Sequence, residues 1–215
     1  MKKELEKRIL SSLVLIPISF FFTIKGSEFF AFFLGIIFFV TSYEWLMMNK
    51  KSYTLKSIGI IFFFFSTYYA SLLREEQGIY FFFFIIFISI FTDLGGYFFG
   101  KTFKWPKLTK ISPNKTYSGV LGSFIFSIFG GFFLAKMFLE NISLSLKPFY
   151  ELFIIILIIS LISQIGDLII SYFKRKAKVK DTGKILPGHG GLLDRIDGII
   201  FAIPFVYLFI NYFNI

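Results

Sequence analysis

The 215-residue sequence has no cysteine, one histidine, six prolines and only 17% charged residues. Without cysteine there are no disulfides and no thiolate metal sites, and a single imidazole argues against zinc. No Gly/Ser/Pro-rich linker divides the chain, so one domain over 1–215 is expected. No small-x-small cleavage site follows the first apolar stretch, and the charged flank 1–8 suits a retained start helix. No internal repeat suggests the inverted halves of a transporter.

What is abundant is hydrocarbon. The chain is 56% apolar with 35 Phe, and its mean hydropathy is +0.75. A soluble domain of this size could not hide so much apolar surface. A helix needs about 20 apolar residues to cross a bilayer. Seven stretches come near this: 9–24, 29–47, 57–73, 79–100, 117–139, 149–173 and 198–213. The expected fold class is all-α, a polytopic transmembrane bundle of about seven spans.

The net charge of +10 could suggest nucleic acid. Here the basic residues fall in short loops between apolar runs, which is the membrane pattern, so no nucleic-acid partner is expected. Most of the 23 Lys and Arg lie in 1–8, 50–56, 101–115 and 174–195. The alternate loops hold Lys25, Arg74 and Lys147, with Lys136 near a span end. The positive-inside rule then puts the N-terminus in the cytoplasm and the C-terminus outside.

Three places carry polar groups that an anchor would not need. Asp93 lies in IFTDLGGYFFG (90–100). A carboxylate at mid-bilayer costs about 2.5–3.5 kcal/mol on insertion scales, so it should face the bundle interior or a watery cavity. The alternative is a carboxylate at a helix end, or one paired with a loop lysine. Gly95, Gly96 and Gly100 would admit a neighbouring helix or a ligand. In ISPNKTYSG (111–119), Ser112, Lys115, Thr116 and Ser118 precede a helix, whose free amides favour phosphate. Ser112 or Thr116 acting as a plain N-cap is the competing reading.

The third place is 164–198. Asp167 lies inside a span, followed by Lys174-Arg175, Lys180-Asp181 and PGHGGLLDRIDG (187–198). The three glycines around His189 would let backbone amides approach a polyphosphate. Asp194 and Asp197, three apart, share a helical face, and with Asp167 they could hold a divalent cation through oxygen ligands. Lys176 and Lys178 are accounted for as a topology anchor, as such clusters beside a span usually are.

These residues resemble a known signature. The stretch SYFKRKAKVKDTGKILPGHGGLLDRID (171–197) fills every fixed position of the phosphatidate cytidylyltransferase (CDP-diacylglycerol synthase) pattern: Ser-x-x-Lys-Arg, Lys-Asp-x-Gly, Pro-x-His-Gly-Gly and Asp-Arg-x-Asp. ISPNKTYSG looks like the family's Ser-Pro-x-Lys-Thr-x-x-Gly segment, in which Trp or another aromatic is common where Tyr117 stands and Glu is frequent where Ser118 stands. The stretch 8–17 and Tyr43-Glu44-Trp45 fit the amino-terminal pattern. Compared with longer members, the chain lacks a helix pair between Trp45 and Asp93.

The resemblance implies the reaction CTP + phosphatidic acid → CDP-diacylglycerol + pyrophosphate, in phospholipid biosynthesis at the cell membrane, with the site facing the cytoplasm. It implies Mg²⁺, with K⁺ as a second cation, in an often dimeric membrane enzyme. Residues 1–100 then supply the amino-terminal spans, and 101–215 the catalytic part. By motif position the metal aspartates are Asp167 and Asp194. Lys180, Asp181, His189 and Arg195 join them as catalytic residues. Ser112, Lys115, Thr116, Ser171, Lys174, Arg175, Gly190, Gly191, Asp197 and Asp93 are expected to contact substrate. A CTP-dependent lipid kinase is the nearest rival and an ion-coupled transporter a more distant one. The Asp-Gly-x-x-Ala-Arg motif of a CDP-alcohol phosphotransferase is absent.

Overall fold

A computed structural model describes residues 2–50, 52–109, 111–137 and 149–213. The expected span end Leu139, and Lys51, Lys110 and Lys147 of the charge count, lie outside the described residues. The described chain is all-α: α1 (Lys2–Lys25), α2 (Ser27–Met48), α3 (Tyr53–Glu76), α4 (Gly78–Phe103), α5 (Tyr117–Met137), α6 (Phe149–Lys176), α7 (Leu193–Ile196) and α8 (Ile199–Phe213). In hydrocarbon, backbone N–H and C=O groups must be satisfied within the segment, and helices do this for long Phe/Ile runs. Among the described residues there is no strand, only one-residue bridges pairing Lys107 with Thr116 and Leu186 with Gly190.

Five helices, α2 to α6, are long and apolar enough to cross a membrane. The apolar part of α1, Ile9–Lys25, and α8, Ile199–Phe213, are shorter. At 1.5 Å per residue the 15 residues of α8 reach only about 22 Å. Sharp turns join successive helices where backbone φ is positive: Gly26 (69°) before α2 and Gly78 (84°) at the first residue of α4. Outward-facing rings such as Phe39 (72% exposed) and Phe129 (74%) suit hydrocarbon, not water.

The chain divides into two compact units, one of 1–71 with 173–197, the other of 72–172 with 198–215. In the first unit, Trp45 of α2 stacks edge-on against Phe63 and Phe173. Its indole N–H donates to the Leu55 carbonyl (2.7 Å). Gly59 leaves the space that this indole fills.

The second unit is built on the α4–α5 pair. A Cβ at Gly95 would run into the Gly122 carbonyl, and one at Gly122 into the Phe99 ring. The glycines singled out in the sequence thus admit a neighbouring helix, as small residues do at membrane helix contacts. Polar groups tie the pair further. The Ser123 hydroxyl donates to the Thr92 carbonyl (2.8 Å), and the Thr92 hydroxyl to Ser160 of α6 (3.0 Å). Gly122→Val should therefore force α4 and α5 apart. Overpacking of this kind costs about 1–3 kcal/mol. A lower thermal midpoint in detergent is the expected result, and an unchanged midpoint would contradict this contact.

Candidate active site

The signature loop belongs to the first unit. Beyond α6 the chain turns at Lys178 (φ 57°) and runs exposed through Lys180 and Asp181. A tight turn follows, in which Leu186 N donates to Gly190 O and His189 N to Leu186 O (both 2.9 Å). Gly188 (φ 78°) and Gly190 (φ 87°) adopt the left-handed backbone that this turn requires. The Arg195 guanidinium then donates to the His189 carbonyl (2.6 Å from Nη2). The His189 ring lies 2.7 Å from the Ser11 hydroxyl of α1 through Nδ1, and 3.4 Å from Ser12 through Nε2.

Asp194 is held by several donors within this loop. Its Oδ2 accepts from Thr182 N (2.8 Å), Gly191 N (3.0 Å) and the Thr182 hydroxyl (3.1 Å). Its Oδ1 pairs with Lys174 Nζ at 2.8 Å, and the two side chains are only 6% and 11% exposed. Lys174 reaches it from the last turn of α6. Arg175, by contrast, is exposed, and its guanidinium makes a long 3.5 Å contact to Val179 O. Asp197 stands at the C-cap of α7 with helical φ and ψ (−56°, −37°), which continues the face that carries Asp194.

The remaining expected residues belong to the second unit. Lys115 forms an ion pair with Asp167 Oδ2 (2.5 Å) and donates to the Gln164 carbonyl (3.3 Å). The Ser171 hydroxyl, one turn along α6, donates to Asp167 Oδ1 (3.3 Å). Asp93 on α4 lies close enough to feel the charges of Asp167 and Lys115. Thr116 caps α5, its Oγ1 accepting from Gly119 N (3.1 Å). Ser112 shapes the preceding turn, its N–H donating to the Thr109 hydroxyl and its carbonyl accepting from Lys115 N.

Both aspartates thus offer hard carboxylate oxygens that already accept a cationic group. Among the described residues no cluster of three or more acidic or His side chains forms a cation cage. Mg²⁺ is commonly held by one or two carboxylates with substrate phosphates, so this donor chemistry fits it.

One residue with an evident role was missed in the sequence. Glu44, 1% exposed near the end of α2, accepts from the Thr182 hydroxyl, Leu192 N and Leu193 N, each at 2.9 Å. The signal was present, because an ionisable residue inside an apolar run is a candidate functional group.

Five membrane-length helices and a carboxylate- and lysine-rich loop define a helical integral membrane protein with a polar site. Residues 52–213 match the family model described as the Cytidylyltransferase family. The chain belongs to this family. A Rickettsia felis protein named phosphatidate cytidylyltransferase is 35% identical over 212 residues, covering 96% of this chain and 92% of that protein. Proteins of the same name from Bacillus subtilis and Brucella suis are 43% and 40% identical over 57% and 55% of this chain. There the aligned part spans less than half of the relative, 44% and 42% of its length.

Proposed function

We propose that this chain transfers the cytidylyl group of CTP to phosphatidic acid, giving CDP-diacylglycerol and pyrophosphate. The observation that carries the reading is the 35% identity, along 96% of the chain, to a protein named phosphatidate cytidylyltransferase. The intact 171–197 signature and its loop of oriented cations and carboxylates support it. CTP and phosphatidic acid are the proposed substrates and the bilayer the setting, with a homodimer as the proposed assembly.

The nucleophile, a phosphate oxygen of phosphatidic acid, is already anionic, so no strong base is needed. The difficulty lies in bringing two anions together, and charge neutralisation with in-line positioning overcomes it. Lys174, Arg175, Lys180 and Arg195 bind phosphate oxygens in this reading, with Ser112, Lys115 and Thr116 as further phosphate ligands. Asp181, His189 and Asp197 orient these cations or contact the nucleotide, and Asp93 is assigned to the polar surroundings of Asp167. Asp167 and Asp194 are the proposed Mg²⁺ ligands, with K⁺ as a second cation. Mg²⁺ when bound would neutralise phosphate charge and assist pyrophosphate departure.

The charge distribution supports seven spans, formed when α1 and α8 also cross, with a cytoplasmic N-terminus, an external C-terminus and the loop at the cytoplasmic face of the cell membrane. The test is to incubate the purified protein with labelled CTP, phosphatidic acid and Mg²⁺. CDP-diacylglycerol with pyrophosphate is expected, whereas a phosphorylated lipid with CDP would mark a CTP-dependent lipid kinase. Lys180, exposed on the loop, is free to meet the nucleotide, so Lys180→Ala should raise the KM for CTP about tenfold, as loss of a charge-assisted bond does. An unchanged rate at limiting CTP would count against its role.

A further inference from the structure

We infer that Glu44 is a positioning residue for the reaction: it fixes the loop that carries Asp194 to helix α2. This rests on the reading of Asp194 as a working carboxylate.

A carboxylate 1% exposed at the end of an apolar helix is costly unless its oxygens are satisfied. Glu44 meets that condition entirely with the loop. Its Oε1 accepts from Leu192 N, and its Oε2 from Leu193 N and the Thr182 hydroxyl. The two amides begin α7, the helical turn on which Asp194 stands. Thr182 is the second link. Its backbone N–H holds Asp194 Oδ2, and its hydroxyl, 2.9 Å from Glu44 and 3.1 Å from Asp194, has one proton to give to either.

Two loop glycines are shaped to this carboxylate. A Cβ on Gly183 or on Gly191 would collide with the Glu44 side chain, and one on Gly191 also with the Thr182 hydroxyl. Gly191 N meanwhile donates to Asp194 (3.0 Å). Glu44 therefore reaches Asp194 through two short routes, Thr182 and the Gly191–Leu193 backbone. An apolar residue of equal volume would fill the space but leave two buried amides without acceptors.

In Glu44→Gln the volume is kept, but one acceptor becomes an NH₂ group facing an N–H donor. A misplacement of about 1 Å at a reacting group can lower turnover about 10²-fold. A kcat about 10²-fold lower is expected, with the KM for phosphatidic acid changed less than about threefold. Thr182→Val should lower kcat about five- to tenfold, the equivalent of one hydrogen bond, and Thr182→Ser should restore it.

The lack of cysteine allows a readout independent of activity. A spin label on Lys184→Cys, an exposed loop position, should be immobilised in the parent and mobile in Glu44→Gln without any substrate. Unchanged label mobility and kcat in Glu44→Gln would overturn the inference, and so would equal behaviour of Thr182→Val and Thr182→Ser. If Glu44→Gln does not insert, the Thr182 pair decides alone by label and by kcat. If the parent makes no CDP-diacylglycerol, the proposed activity fails, while the label still reports whether Glu44 holds the loop.

Discussion

Asp194→Asn is expected to abolish CDP-diacylglycerol formation, with a fall of at least about 10³-fold, the scale on which a lost electrostatic group at a reacting centre acts. The reason lies in what each oxygen of Asp194 does. Oδ2 is held by two amides and a hydroxyl, and the asparagine oxygen can take its place and keep those donors. Oδ1 faces Lys174, and there the asparagine would present an NH₂ group, which can accept neither an ammonium nor a metal. The amide bonds to the loop should therefore survive while the buried Lys174 ammonium loses its counter-charge, which costs stability as well as activity. Membrane insertion should match the parent, with a lower thermal midpoint in detergent. Near-normal incorporation of CTP into lipid would sink the assignment of Asp194 as a metal ligand.

Lys174→Ala is expected to have the largest effect on stability. The Lys174–Asp194 pair is almost wholly buried, with side-chain exposures of 11% and 6%. Removing one partner from such a pair strands the other charge, at about 3–5 kcal/mol. The thermal midpoint in detergent should fall accordingly. Mg²⁺ should recover more of it in the variant than in the parent, because in the parent the ammonium competes for Oδ1 and in the variant the oxygen is open. An equal Mg²⁺ response in both proteins would argue that the cation does not use Asp194.

The two substitutions separate roles that the signature alone leaves merged. The sequence reading placed Lys174 among phosphate ligands and Asp194 among metal ligands. The fold joins them into one ion pair, as it does Lys115 and Asp167. Each lysine balances a carboxylate, and the proposed phosphate contacts would require that pairing to loosen.

Much of the architecture was legible in the sequence because it is written in local pattern. Runs such as YFFFFIIF can satisfy their backbone in hydrocarbon only as helices, and the stretches 29–47, 57–73 and 79–100 fall inside α2, α3 and α4. Gly95 and Gly96 were recognised as contact points by size alone, and α5 is the neighbour they admit. The 27-residue signature pointed to the family through residue types and spacing, which need no coordinates.

Partners distant in the chain were a different matter. Glu44 meets Thr182 across 138 positions and Leu193 across 149. Neither helical period nor motif spacing reports such a meeting. Nor could composition tell whether the loop glycines serve a ligand or make room for a buried carboxylate, since both demand the same missing Cβ. The sequence by itself determined the apolar helices and the family. The tertiary structure alone decided which donor faces which carboxylate, because a hydrogen bond depends on separations of about 3 Å that only the packed chain defines.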